Sequence, residues 1–450
     1  MAEIITRDAV DQDFNMPSRQ IVMRLDIFFD GLQSDPLIIT KDNYLIDATL
    51  LEEIGAEDSN PLGTISANEL SFSLYNSDGI FSPTNTNSPY YGKIKTNVPI
   101  IPYMKPETTD NTEVNWIKMG EYYVSNWSAS VTGIDAFITA EDELQQVFLE
   151  KSPSIPVGLN KKQAEFFQEV FNALGYTAKI SRDLNAVLLY TFTEGEQKSY
   201  LQEMLQGAIA YCLCDKNGDI IVEPLNGSKP LRATITDADQ IISVDATQSL
   251  IKSYGGVELT YVLPQLTEAV QLLQMKEVNI PPGVFTHNKV SFNRGPIKTV
   301  TNMYALTKGK EVTIIDYTSS PWDITFTTKN EGTQVLSDLV VYGVAVDFVQ
   351  AILADSTTNV LKVKNRYIQN TEYAHKYKNI LEAFVNNDMS TLSLQIRGNP
   401  LFNVGEKLRV QSDKYNLDFT GIIQRINYRY EGFLSCEITL LNSSILEVNR

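Results

Sequence analysis

The residues able to do chemistry are few, and their spacing suits none of the usual constellations. Cys212 and Cys214 flank Leu213 on a stretch that reads as a strand, where the two-residue period turns both thiols to one face. A structural zinc ion needs four ligands, yet no Cys or His pair stands at useful spacing and Cys436 is far away in the chain. Packing is the plainer role for such small, apolar side chains. His287 and His375 are the only histidines, so a Ser-His-Asp triad would have to use one of them, and no Gly-x-Ser-x-Gly elbow is present. Both are expected at the surface or an interface. Asp215-Lys216-Asn217-Gly218-Asp219 is similar to a calcium loop, but its glycine comes fourth rather than sixth and no glutamate stands twelfth. A hairpin turn explains it. Glu141 and Asp142 would make a glycosidase-like acidic pair, but they stand where a helix N-terminus favours acids anyway. Lys308-Gly309-Lys310 lacks the upstream glycine of a P-loop. Asn126-Trp127-Ser128 fits a glycosylation sequon, without consequence in a cytoplasmic protein. The expectation is a chain that is not an enzyme, with no catalytic residue, metal or cofactor.

The bulk properties fit that expectation. A chain of 450 residues is too long for one core and implies roughly two to four domains. With 22 Tyr, 19 Phe and many Thr, Val and Ile, it leans toward β-structure. A formal charge of −18 argues against holding nucleic acid by phosphate neutralisation, though not against a wall past which DNA must slide. A solvated, soluble surface accounts for the same charge. Met1 to Gln20 is polar and acidic, without the apolar core of a signal peptide. The apolar run Leu339 to Val346 is too short to cross a membrane, and three cysteines make no disulfide framework. Synthesis and assembly in a reducing cytoplasm follow as the expectation.

The elements that would carry these residues read as mainly β with a few helices. Residues 1–16 form a polar arm. Gln20 to Phe29, Leu37 to Ile39 and Leu45 to Ile54 read as strands. Asn68 to Tyr75 alternates Leu70, Phe72 and Leu74 with polar residues, and Asn76-Ser77-Asp78-Gly79 turns the chain. A polar loop follows from Ser82, with a neighbouring subunit as its expected contact, and extended structure resumes over Tyr90 to Ile94 and Val98 to Ile100. Trp116 to Trp127 and Val131 to Ala140 suggest a hairpin running into a helix behind Asp142. After a linker at Lys151 to Gly158, Asn160 is placed to cap a helix that Gly175 stops. A strand, a second helix and a hairpin complete an α/β unit over 151–240. From 241 strands return; over Glu268 to Val278 strand and short helix compete, because Pro264 and Glu268 suit either. A helix from Asn370 and a closing hairpin at Glu431-Gly432 end the chain.

Three blocks resemble bacteriophage tail-tip and baseplate hub proteins. The first is NELSFSLYNSDGIFSPTNTNSPYYGKIKTNVPI, Asn68 to Ile100. The second comprises Gly120, Tyr122, Tyr123, Val124, Trp127, Thr139, Ala140, Asp142, Leu144 and Gln145. The third, near the end, includes Asn370, Glu372, Ala374, Gly398, Pro400, Val404 and Gly405. The resemblance implies a mainly β (α+β) chain with two tail-tube-like β-barrel domains, 17–150 and 241–450, and the small α/β domain inserted between them. A further β subdomain falls at about 296–367. It also implies a homotrimeric ring in the virion tail, pseudo-sixfold toward the tube, with the tail tube or distal tail protein, the tape measure and the spike or tip as partners. DNA would pass through without specific binding. A receptor- or carbohydrate-binding tail component is the alternative, suited by the tyrosines but without repetitive C-terminal segments. A peptidoglycan hydrolase would need a catalytic constellation that the sequence does not offer.

Overall fold

The computed structural model describes residues 20–54, 62, 65, 67–107, 116–129, 134–149, 159–190, 197–237, 241–245, 254–306, 312–355, 359–386 and 390–447. The N-terminal arm, the Lys151 to Gly158 linker and Lys308 to Lys310 lie outside these residues.

The protein is mainly β, built on one sheet of 14 strands to which two stretches of chain contribute. From the N-terminal stretch come Gln20–Ile27, Leu37–Thr40, Leu45–Glu53, Glu69–Tyr75, Pro99–Glu107, Ile117–Lys118, Tyr122–Ala129 and Asp135–Glu141. The later stretch supplies Leu231–Thr236, Ile241–Asp245, Thr391–Ile396, Lys407–Ser412, Leu417–Tyr430 and Leu434–Asn442. Alternation fixes which face is buried. Leu70, Phe72 and Leu74 point inward, and Ser71 and Ser73 point out. Leu25, Leu50, Phe72 and Ile138 of the first half share a core cluster with Leu394, Val410, Ile426 and Ile438 of the second. One core cluster therefore runs along the sheet through both stretches of chain. Among the described residues its strand path stays open, ending at Leu37–Thr40 and Ile241–Asp245. The first of these edges is covered from within: the Asn43 side chain donates to the Ile38 carbonyl at 2.9 Å and accepts from the Thr40 N–H at 2.6 Å.

Asn76 to Ile94 is more ordered than its composition suggests. The N–H groups of Gly79, Ser82, Asn85, Ser88 and Tyr91 each donate to the carbonyl three residues back, giving consecutive turns of period three. Tyr90 to Ile94 therefore lies in turns rather than in the expected extended structure, and the loop is held by its own chain. Phe81 is the plug: fully buried, its ring lies 5.0 Å from Tyr44, 5.9 Å from Tyr90 and 6.4 Å from Trp127. Its backbone is held as well, since Asn76 Oδ1 accepts from its N–H and Trp127 Nε1 donates to its carbonyl, at 2.8 and 2.9 Å.

A second core forms around helices Gln163–Ala173 and Gln197–Ala208, where Phe166, Phe167, Phe171 and Leu201 cluster with Cys212 and Cys214 and with Ile65, Leu144, Val147 and Tyr367 from outside 151–240. The N-cap position of its first helix is Lys162, whose N–H donates to Glu165 Oε2 at 3.3 Å, and not Asn160, which instead lies in the strand Leu159–Lys162 at φ 52°. Glu268 to Val278 is strand throughout, part of the 25-residue Gly256–Ile280. That strand pairs antiparallel with Val335–Ala354, and their cross-strand bonding overrides the local helix signal. At about 3.3 Å per residue the ribbon is roughly 80 Å long. One end enters the main core through Val257 and Leu259, while the other carries a satellite core around Leu272, Ile324, Phe326 and Leu339. No residue of 263–271, between them, is buried. His287, expected at a surface or an interface, is buried within the chain at the satellite end. Its ring stacks 4.6 Å from Phe326, and Nε2 lies 3.3 Å from Thr328 Oγ1. Burial lowers its pKa. His375 is exposed, as expected.

Phe81→Ala is expected to destabilise the protein by about 3–5 kcal/mol, as loss of a buried aromatic does. Denaturant titration followed by tryptophan fluorescence measures this; a loss under about 1 kcal/mol would show that the ring does not hold the loop.

Candidate functional site: the seam between the two halves

The two halves meet strand to strand. Leu45–Glu53 and Leu417–Tyr430 pair antiparallel from Glu53↔Arg425 to Ala48↔Tyr430, so the halves share a hydrogen-bonded ladder. On the core side Tyr428 is fully buried and its hydroxyl donates to the carbonyl oxygens of Asn399, at 3.0 Å, and Phe402, at 3.3 Å.

A hairpin of the inserted unit reaches this seam. Ala210–Cys214 and Ile220–Pro224 are joined by the turn at Asp215 to Asp219, whose first carboxylate accepts from the N–H groups of Asn217, at 2.8 Å, and Asp219, at 3.0 Å. The calcium-like stretch is thus a hairpin turn. Lys216 leaves the turn and becomes a pin. Its Nζ donates to the carbonyls of Pro400 at 2.7 Å and Phe402 at 2.5 Å, lies 5.5 Å from the Tyr428 ring centroid, and is 3.8 Å from Glu52 Oε1. Lys118 Nζ donates to the Asn217 carbonyl at 2.8 Å, tying the turn to the first half.

Beside the pin lies a second tie. Asn68 donates its N–H to Asp142 Oδ2 at 2.9 Å and its side-chain amide to the Cys214 carbonyl at 3.0 Å. Asp142 also caps the helix Glu143–Leu149 by accepting from the Leu144 N–H at 3.0 Å. Burial pushes the Asp142 carboxyl up to about 7, against the hydrogen bonds that lower it. Burial raises Glu52 too, with Lys216 opposing. The thiols of Cys212 and Cys214 are driven far up by burial, chiefly, and by Asp142, so they are poor nucleophiles suited to packing.

A cleft of about 590 Å³ flanks the pin, lined by Tyr211, Glu223, Lys229, Arg232, Glu406 and Lys407 among others. Its charges are engaged with each other: Glu223 Oε2 accepts from Tyr211 at 2.8 Å and from Lys229 at 2.8 Å. Among the described residues no group of three His, Cys, Asp or Glu is placed to hold a metal ion. The arrangement is a mechanical clamp on the seam. Glu141 and Asp142 divide, one on the outer sheet face and one in the core. The sequence reading missed Lys216 and Glu52. Glu52 did leave a trace, since it occupies the inward phase after Ala48 and Leu50.

No family model matches the chain, and no curated protein does. Solved structures do. The 43 kDa tail protein of prophage MuSo2 from Shewanella oneidensis aligns over 94% of this chain and 99% of its own, at 11% identity and a TM-score of 0.53. A tail protein from Neisseria meningitidis MC58 aligns over 95% and 98%, at 9% identity and a TM-score of 0.54. The chain has the fold of these tail proteins. This bears out the resemblance read from the three sequence blocks, at the level of fold. The tail-protein fold here is held at its seam by Lys216, a residue outside all three blocks.

Two outcomes follow. Lys216→Met removes two charge-assisted hydrogen bonds and isolates the Glu52 carboxylate, and is expected to cost about 2–4 kcal/mol in a denaturation experiment. Adding Glu52→Gln should recover part of that loss; an additive further loss would contradict the pairing. The Asp142 carboxyl is raised in the fold above its ordinary 3.8, so its contribution is fully present below about pH 4 and is lost as pH rises to about 7. Glu52 acts in the same sense. Stability is therefore expected to fall across that window, and Asp142→Asn to flatten the fall. Melting curves from pH 4 to 8 decide this, and an unchanged slope in the variant would sink it.

Proposed function

We propose that the chain is the structural hub of a phage or phage-like tail baseplate or tip. Three copies close a ring that joins the hexameric tail tube to the central spike or tip and leaves a channel for DNA or the tape-measure protein. The observation that carries the reading is the seam. Two β halves, 17–150 and 241–450 in the proposed division, are joined edge to edge in one sheet, which supports reading each half as one tube-like module. Three such chains give six modules toward a sixfold tube and three copies toward a threefold tip, through heterologous contacts that close. The fold shared with two tail proteins, one of them from a prophage, supports the setting. Exposed apolar side chains on the long ribbon and its satellite sheet support subunit or partner contacts there: Leu266, Val284, Phe285, Leu306, Leu336 and Ile352 are all solvent-facing. The role is architectural rather than enzymatic, in the virion tail after assembly in the host cytoplasm, with tube, tape-measure and spike proteins as partners.

Negative-stain class averages of the purified chain, mixed with its tube and spike partners where it does not close alone, test this. A threefold ring with an axial hole is the expected result. A sixfold ring would move the protein to the tube-ending ring. Monomers under both conditions, with saturable binding on a glycan array, would replace the hub by a receptor-binding component.

A further inference from the structure

Near its root the long ribbon has two faces, and the core covers one of them. Residue pairs from Glu258↔Ala354 to Leu266↔Val346 run without a register shift, so alternate positions keep to one side. Leu259, Tyr261, Leu263, Ala351 and Leu353 pack with the main core. The opposite side carries Thr260 beside Ile352, then Val262 beside Gln350, Pro264 beside Phe348, and Leu266 beside Val346. Ile352 is 61% exposed and Leu266 56%, with Pro264 and Phe348 half-buried between them. None of the apolar side chains of this second side belongs to a core cluster of the described residues. The parallel neighbour Val360–Asn365 continues the same side with lysines, Lys364 next to Thr260 and Lys362 next to Glu258, both exposed.

We propose that this side of the ribbon, with the satellite sheet beyond it, is a clasp that seats on the acidic first half of a second copy of the chain. The proposal rests on the ring reading and names a contact that holds the ring closed. Topology directs the ribbon that way. It is inserted between Ile241–Asp245 and Thr391–Ile396, the two strands farthest from the seam on the second half's side of the sheet path. In a ring with one kind of heterologous contact, that end of one copy faces the first half of the next. Length suffices as well. Seven strands of the first half lie along the sheet path, about 34 Å at about 4.8 Å spacing, and the ribbon is roughly 80 Å long. Charge favours the same occupant. Residues 17–150 hold 7 Lys and Arg against 20 Asp and Glu, whereas the satellite stretch 281–330 holds 6 against 3. Lys289 and Lys298 of that stretch are exposed. A first half set against another first half would meet like charge. The ribbon instead offers apolar area to bury and lysines to face carboxylates.

Two measurements test the clasp. The first treats assemblies of mixed unlabelled and isotope-labelled full-length chains with a zero-length carbodiimide, which joins a lysine amine to a carboxylate with loss of water. Mass spectrometry then separates links between copies from links within one. Links between copies are expected from Lys289, Lys298, Lys362 or Lys364 to carboxylates of residues 17–150. Links from these lysines confined to their own copy, or reaching only 241–450 of another, would overturn the clasp. The second measurement reads the sign of the surface opposite, by sedimentation. Leu266→Asp with Ile352→Asp is expected to raise the concentration needed for assembly by about tenfold or more, and Leu266→Lys with Ile352→Lys to change it by less than about threefold. Both sites are exposed, so the melting temperatures of the two variants are expected to match that of the unmodified chain. Equal loss of assembly in both variants, or loss in neither, would overturn an acidic partner surface. A threefold ring without ribbon links keeps the ring and removes the clasp. Ribbon links in an assembly of another symmetry keep the clasp and remove the threefold ring. Chains that stay single with tube and spike partners present overturn both.

Discussion

The structure depends on six residue pairs of antiparallel ladder, Glu53↔Arg425 to Ala48↔Tyr430. Without them the strands of each half would end in an exposed edge, and an open edge of this length invites pairing with another chain. With them, one sheet and one core cluster extend through both halves, so the angle between the halves is set by backbone hydrogen bonds rather than by a linker. Backbone pairing is also indifferent to side-chain identity. This fits a fold shared with two tail proteins at only 9% and 11% identity.

The inserted unit acts on that ladder from one side. Its hairpin turn delivers Lys216 to two carbonyls of the 400–402 segment, and that segment already receives the Tyr428 hydroxyl from the seam strand. A cation there has lost most of its water. It is tolerable only because carbonyl oxygens, an aromatic face and Glu52 surround it. The insert is thus more than an appended module: its removal would leave Glu52 buried without its cation and take the Lys216 donor from the Pro400 and Phe402 carbonyls.

The ribbon and its satellite sheet follow a different logic. Residues 263–271 bury no side chain, and opposite them only Gly343, Ala345 and Val346 are buried, so the ribbon gains little from packing there and its geometry relies chiefly on the cores at its two ends. That is where large apolar side chains remain solvent-facing, and where contacts outside the chain would add most to stability.

Much of this was legible in the sequence. Strict alternation over Asn68 to Tyr75 determines a one-sided strand, and the Asn76 to Gly79 stretch determines a turn, because both rest on period and local backbone preference. The helices behind Asp142 and from Thr371, and the closing hairpin, follow from the same local rules. The tail-protein resemblance was also visible there, in the turn-rich stretch from Asn76 to Tyr91, whose loop is tied by hydrogen bonds from Phe81 to Asn76, from Asn85 to Gly79 and from Ser88 to Ile80. Other features were decided by tertiary structure. Asn160 has the composition of a cap but lies in a strand, and His287 has the polarity of a surface residue but lies against Phe326, since burial depends on neighbours far away in the chain. The pairing of the halves and the destination of Lys216 were likewise beyond a local reading. A strand's pattern says which face is buried but not which edge it meets, and a lysine at a turn looks solvated until another segment closes over it.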